Sequence, residues 1–183
     1  MDYAEIKKNI INELDKALGE ATDPGILVKE IVSCGKVFVT GAGRARLMMQ
    51  AFAKRLGHLG IEVYVIGETV QPPALPEDLL IIASGSGKSA VPLAIAKEAK
   101  ELGMKVALIT ARKDSDISKI SDLAVLIPAS IKLDSPGVKK SLQPLSNHFE
   151  QSLLIFCDIT ALLVQESKGL SDSDIQKKHA NLE

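Results

Sequence analysis

Five short apolar runs recur along the chain: KVFVTG (36–41), IEVYVIG (61–67), LLIIAS (79–84), MKVALIT (104–110) and DLAVLIP (122–128). Each is too short to make a substantial helix and too continuously apolar to wet one face, so each reads as a strand covered on both sides. Such strands alternating with helices predict an α/β fold, a five-stranded parallel sheet with helices on both faces, doubly wound in the flavodoxin-like manner. At 183 residues, 46% of them apolar, the chain suits one domain with a full core. N-terminal helices are expected over 1–34, the α/β core over 35–130, and a long helix and tail over 142–183.

The helices announce themselves by spacing. Ile6, Ile10, Ile11, Leu14 and Leu18 place one over 2–20. Asp23-Pro24 reads as an N-cap and first-turn proline opening a second, through about Cys34. Residues 44–59 carry Leu47, Phe52 and Leu56, and residues 88–102 run to Gly103 as C-cap. A short helix is expected over Asp114–Ile120 and a loop over 130–141. Residues 144–167 form a helix apolar around much of its circumference, so it is either buried in the core or part of a subunit interface. The tail SDSDIQKKHANLE reads as polar and irregular.

Charge and composition remove several function classes. With 22 basic and 23 acidic residues, no tryptophan and 3% aromatics, the chain has neither the field nor the stacking surface for nucleic acid. Cys34 and Cys157 make neither a disulfide framework nor a zinc site, and Cys157 reads as a buried small hydrophobe. The opening MDYAEIKKNIINELDKAL lacks the apolar core of a signal peptide. Leu153–Val164 contains Asp158 and is too short to span a bilayer. The chain is therefore expected to be soluble and cytoplasmic, with no membrane partner.

Two glycine-rich turns join strands to helices. SGSGKS (84–89) ends like a P-loop, but G-x-x-x-x-G-K-[ST] needs a glycine at 82, where Ile82 stands. No strand ends in an aspartate for magnesium either. What the turn offers is three hydroxyls, Ser84, Ser86 and Ser89, with Gly85 and Gly87 allowing close backbone approach at a helix N-terminus. That set suits a phosphate monoester; the plainer alternative is a serine-capped helix start. TGAGRAR (40–46) falls short of G-x-G-x-x-G, because Arg46 stands in the third glycine's place. Both turns lie beyond the carboxyl ends of their strands, where open α/β sheets bind ligands.

A strand–TGAGR–helix unit followed by a strand–SGSG–helix unit resembles the SIS (sugar isomerase) domain. Within it, RLGHLGIEVYVIGETVQPP (55–73), LQPLSNHFEQSLLIFCD (142–158) and the terminal KKHANLE are similar to the 6-phospho-3-hexuloisomerases of the ribulose monophosphate pathway. The resemblance implies interconversion of D-arabino-3-hexulose 6-phosphate and D-fructose 6-phosphate without metal or cofactor, in a homotetramer with shared active sites. The chain departs from that family at Ala45 and Arg46 (usually Ser-Gly), at Lys88 and Ser89 (usually Glu-Thr), and at Asn147 and His148 (usually a small residue and Leu). Loss of the serine at 45 removes a substrate contact, and Arg46 is expected to add bulk and charge near the pocket.

Moving a carbonyl from C3 to C2 takes the C2 proton, passes through an enediolate and returns a proton at C3. One carboxylate can perform both transfers. Glu150, matching the family's FEQ, is the candidate, against the plainer reading of a first-turn glutamate favoured by the helix dipole. His179, in the HANLE end, and His58 are candidate acids, with His179 reaching a neighbouring subunit; His58 serves equally well as a structural histidine, and His148 reads as incidental. Gly41, Gly43, Arg44, Ser84, Ser86, Gly87, Ser89 and Glu68 are the expected substrate contacts, although Arg44 also reads as a surface pair and Glu68 as a loop cap. A binding-only phosphosugar sensor and an aldose–ketose isomerase remain open beside this reading.

Overall fold

Five parallel strands form one sheet in the order β2-β1-β3-β4-β5 in the computed structural model, which describes residues 1–132 and 140–182. They are β1 (Val37–Gly41), β2 (Val63–Val65), β3 (Leu79–Ala83), β4 (Lys105–Thr110) and β5 (Leu123–Leu126). The helices are α1 (Tyr3–Gly19), α2 (Gly25–Ser33), α3 (Arg44–His58), α4 (Ala90–Glu101), α5 (Asn147–Ser167) and α6 (Asp172–Gln176). The expected doubly wound, flavodoxin-like sheet is thus present.

Because side chains alternate along a strand, the sheet sorts its own core. Val37, Val39, Leu79, Ile81 and Ala83 face one way, packing with residues of α2, α3 and α5. Phe38, Leu80, Ile82, Val106 and Leu108 face the other, where α4 supplies Ala96 and Ala99. One face therefore carries most of the helical mass. The long α5 resolves its two options largely in favour of the core. Phe149, Leu153, Phe156, Cys157, Ala161 and Val164 are buried, while Ile159 and Leu162 face outward. Among the described residues no helix is long and apolar enough to cross a membrane.

Several boundaries differ from the sequence reading, each for a local reason. Asp114–Ile120 makes turns, not a helix. Ser115 Oγ takes the Ser118 N–H at 3.2 Å, and Ile117 gives its N–H to the Gly87 carbonyl at 3.1 Å, so serine side chains and a distant loop outcompete the helical ladder. Pro24 is the N-cap of α2 and not its first turn, with Asp23 Oδ1 accepting the Gly25 N–H at 2.7 Å. The tail is not wholly irregular: Ser171 and Asp174 close a capping box that starts α6. Gly103 does follow α4 in the left-handed region, φ 81°, with both bonds of a Schellman ending. Of the 130–141 stretch read as loop, 133–139 lie outside the described residues.

The chain leaves β1 toward β2 on one side and later leaves β3 toward β4 on the other. The carboxyl ends of β1 and β3 are therefore the switch point of the sheet, and the two glycine turns hang there together.

Candidate active site

The β3–α4 turn is a packed cradle of hydroxyls. Ser84, buried at the end of β3, faces Ser89 Oγ at 3.1 Å and accepts the Gly87 N–H at 3.1 Å. Ser86 Oγ accepts the Lys88 N–H at 3.3 Å. Ser89 is the N-cap of α4 but makes no capping hydrogen bond, so its hydroxyl is committed to the turn and not to the helix start. Gly87 has φ 62°, and a Cβ there would lie 2.0 Å from Ser115 Oγ. Only glycine fits that conformation and that space. Thr110 Oγ1 donates to the Gly85 carbonyl at 3.3 Å, and a Cβ on Gly85 would press on Phe149 at 3.0 Å. The cradle is thereby braced by β4, by the 115–118 turn and by the first turn of α5.

The β1–α3 turn works through a side chain. A Cβ on Gly41 would meet the Arg46 nitrogen at 3.0 Å and the Ala83 carbonyl at 3.1 Å, which keeps the two turns in contact. Gly43, φ 58°, lets α3 start at Arg44. Arg44 reaches across to α5, where Nη1 lies 3.1 Å from Glu150 Oε2 and also donates to Asn147 Oδ1. The Glu150 side chain is only 14% exposed and that of Arg44 53%, so a largely enclosed carboxylate meets solvent beside a half-exposed cation. Glu150 follows Phe149, which lies against Gly85, so the first turn of α5 that carries the carboxylate packs beside the hydroxyl cradle.

Of the departures from the family pattern, only Arg46 was expected to add bulk near the pocket, and it turns away. Ala45 is buried in the core. Arg46 turns toward β2, donating to the Ile66 carbonyl at 3.0 Å and lying 3.9 Å from Glu68. Its guanidinium occupies the space beside Gly67, which a Cβ there would meet at 3.2 Å. Gln50 adds a 3.4 Å bond to the same Glu68 oxygen, so Glu68 is engaged from α3. Lys88 is exposed at the rim of the cradle.

The two histidines expected to act as acids are together, but elsewhere. Their rings stack at 4.9 Å between centroids. His58 is the last residue of α3 and Arg44 the first. At 1.5 Å per residue the helix separates them by about 21 Å. Within one chain, then, neither histidine reaches Glu150. His148, read as incidental to the chemistry, has a structural place: it is buried, with Nδ1 accepting the Ser130 N–H at 3.1 Å and Nε2 3.0 Å from the Glu13 carbonyl. Among the described residues no three His, Cys, Asp or Glu side chains group as they would around a metal ion.

The SIS domain family matches residues 30–149, from within α2 to the residue before Glu150. The chain belongs to the SIS domain family. Its SIS relatives include the 3-hexulose-6-phosphate isomerase of Bacillus subtilis, 38% identical over all of both chains. The enzyme of the same name from Mycobacterium gastri is 36% identical, over 86% of this chain and 79% of that one. A solved structure from Methanococcus jannaschii, described as inferring a molecular function of 3-hexulose-6-phosphate isomerase, superposes with TM-score 0.82 at 29% identity, covering 98% of this chain and 99% of that one.

Sequence reasoning missed the groups that hold this SIS site in place. Ser115 and Thr110 carry no local signal, because their role appears only when β4 and its following turn lie against the cradle. Gln143, Asn147 and Glu13 are the other omissions. The first two sit in the LQPLSNHFEQ stretch already singled out; Glu13, on a helix far away in sequence, had nothing to mark it.

Proposed function

We propose that this chain is a 6-phospho-3-hexuloisomerase, interconverting D-arabino-3-hexulose 6-phosphate and D-fructose 6-phosphate. The observation that carries the reading is the enclosed Glu150 carboxylate, paired with Arg44, at the edge of a hydroxyl cradle suited to a phosphate. Ser84, Ser86 and Ser89 hold the phosphate, with backbone approach allowed at Gly85 and Gly87 and positive charge from Lys88 at the rim. Gly41 and Gly43 keep the neighbouring turn low enough for the sugar to lie across it, and Glu68 flanks its far end.

Glu150 takes the proton from C2 of the 3-hexulose, forming the enediolate across C2 and C3, and returns a proton to C3. The hydroxyl proton passes from O2 to O3, so no atom is gained or lost. Arg44, already beside the carboxylate, faces the oxygens on which negative charge develops. The His58–His179 pair lies too far away to serve its own chain. Its role as acid belongs to a homotetramer in which one subunit's pair completes another's crevice, and the outward Ile159 and Leu162 of α5 are apolar surface of the kind such contacts cover.

Proton NMR of D-fructose 6-phosphate in D2O tests this directly. Deuterium should enter at C3 with the wild-type protein, and Glu150→Gln should slow that exchange by about 10³-fold. Exchange at C1 would move the protein to the aldose–ketose isomerases. Line broadening without exchange at any carbon would leave a phosphosugar-binding protein without turnover.

A further inference from the structure

Asn147 and His148, two positions where the chain departs from its resemblance, both lead to Glu13 on α1. His148 meets the Glu13 backbone carbonyl. Asn147 donates from Nδ2 to Gln143 Oε1 at 2.8 Å, and Gln143 donates from Nε2 to Glu13 Oε2 at 3.1 Å. The same carboxylate accepts from Ser141 Oγ at 2.6 Å and from the Leu142 N–H at 3.1 Å. At the other end Asn147 Oδ1 accepts from Arg44.

We infer that Glu13, Gln143 and Asn147 form a positioning relay that holds the Arg44 guanidinium against Glu150, an inference that rests on the isomerase reading for its effect on turnover. The direction of the relay follows from donor and acceptor chemistry. An amide facing either way fits the same space, but only one way presents oxygen to Arg44; the flipped amide would point N–H at a cation that can only donate. An ionised glutamate can only accept. Glu13 therefore fixes Gln143 with its nitrogen inward and its oxygen toward Asn147. Gln143 in turn fixes Asn147 with its oxygen toward Arg44.

The relay has work to do at both ends. Arg44 is half exposed, and a single exposed ion pair holds a long side chain poorly. A second acceptor at a set angle turns one contact into a two-point grip. Between Gln143 and Asn147 the backbone passes through Leu145 at φ 55°, the one non-glycine in the left-handed region among the described residues. A bulky residue keeps that conformation only where its surroundings impose it. The three bonds to Glu13, from residues 141–143, are the restraint on one side, and the first turn of α5 is the restraint on the other.

The test compares three variants of the full chain: Asn147→Leu, Glu13→Ala and His148→Leu. The last loosens the same contact between α1 and α5 at the Glu13 backbone while leaving every side-chain bond of the relay in place. Nitrogen-15 NMR of the Arg44 guanidinium should show resolved, slowly rotating Nη groups in the wild type and in His148→Leu, and averaged signals in the other two. With the isomerase assay, Asn147→Leu and Glu13→Ala should lower kcat roughly tenfold while moving KM less than about twofold. Should Glu13→Ala not fold, Asn147→Leu carries the comparison, since it leaves the Glu13 bonds to Ser141 and Leu142 in place. Averaged Arg44 signals in the wild type, unchanged signals in Asn147→Leu, or the same loss in His148→Leu would overturn the relay. Collapse of the signals in a protein without turnover would leave the relay standing and reject the isomerase reading instead.

Discussion

The two glycine turns lie side by side at the switch point and are built on opposite plans. The β3–α4 turn is closed: Ser84 is buried, Gly85 abuts Phe149 and Gly87 abuts Ser115. The β1–α3 turn is tight at Gly41 but open beyond it, with nothing within 4 Å of where a Cβ on Gly43 would stand and with Arg44 half in solvent. A turn that binds through hydroxyls and backbone must hold its atoms still, and packing does that. A turn that acts through a long side chain needs space for that side chain to reach its partner. The difference teaches that similar glycine spacing in sequence serves two distinct purposes here.

The contrast is easiest to break at the glycines. Gly87→Ala meets both a positive φ and the Ser115 side chain, and should cost about 2–4 kcal/mol and abolish binding of inorganic phosphate. Gly43→Ala, with φ 58° but open space, should cost only the backbone strain, about 1–3 kcal/mol. Thermal unfolding with phosphate titration measures both, and Ser115→Gly should recover part of the Gly87→Ala loss and none of the other. Equal damage at the two glycines would end the distinction.

A smaller effect sharpens the same contrast between binding and chemistry. Ser84→Ala removes one of the two acceptors of the Gly87 N–H, leaving the Ser84 carbonyl, and removes the partner of Ser89. It should weaken phosphate roughly tenfold in calorimetry. Arg44→Gln should spare much of that affinity and lose turnover instead.

The smallest effect concerns what stands behind Arg44. Burial pushes the Glu13 carboxyl up, but hydrogen bonds from Ser141, Gln143 and Leu142, with His148 nearby, hold it below its ordinary 4.5. A depressed carboxyl contributes its stability in full above the unfolded value and loses it as pH falls through the lower folded value. Glu13→Ala should therefore be about 1 kcal/mol less stable than wild type at neutral pH. Urea unfolding should show that deficit shrinking as the solution is acidified below 4.5. A deficit that stays constant would mean that the Glu13 charge contributes nothing.

Much of the fold was legible because it is written locally. Runs such as LLIIA (79–83) and VALI (106–109) are apolar at every position, as a doubly covered strand requires, and the Gly103 ending of α4 needs nothing beyond its own turn. The cradle was legible too, since Ser84, Ser86 and Ser89 fall within six consecutive residues. Asp114–Ile120 was misread because its backbone partner, Gly87, lies far off in sequence. The distance between His58 and Glu150 was equally invisible, since helix length separates what similarity to a family groups together. Arg46 was expected to crowd the crevice, but the Ile66 carbonyl and Glu68 draw its charge toward β2, and those partners meet it only in the folded chain.

Glu150 rides on the helix whose other residues build the core against α1, α2 and α3. Turning a helix of that diameter by about 10° moves a carboxylate on its surface by roughly 1 Å. A misplacement of that size is enough to slow an enzyme by about a hundredfold. Residues such as Phe156 and Ala161 thus act on reactivity as a tuning peg acts on a string, without touching the sugar. A volume change there should detune turnover well before it unfolds the chain.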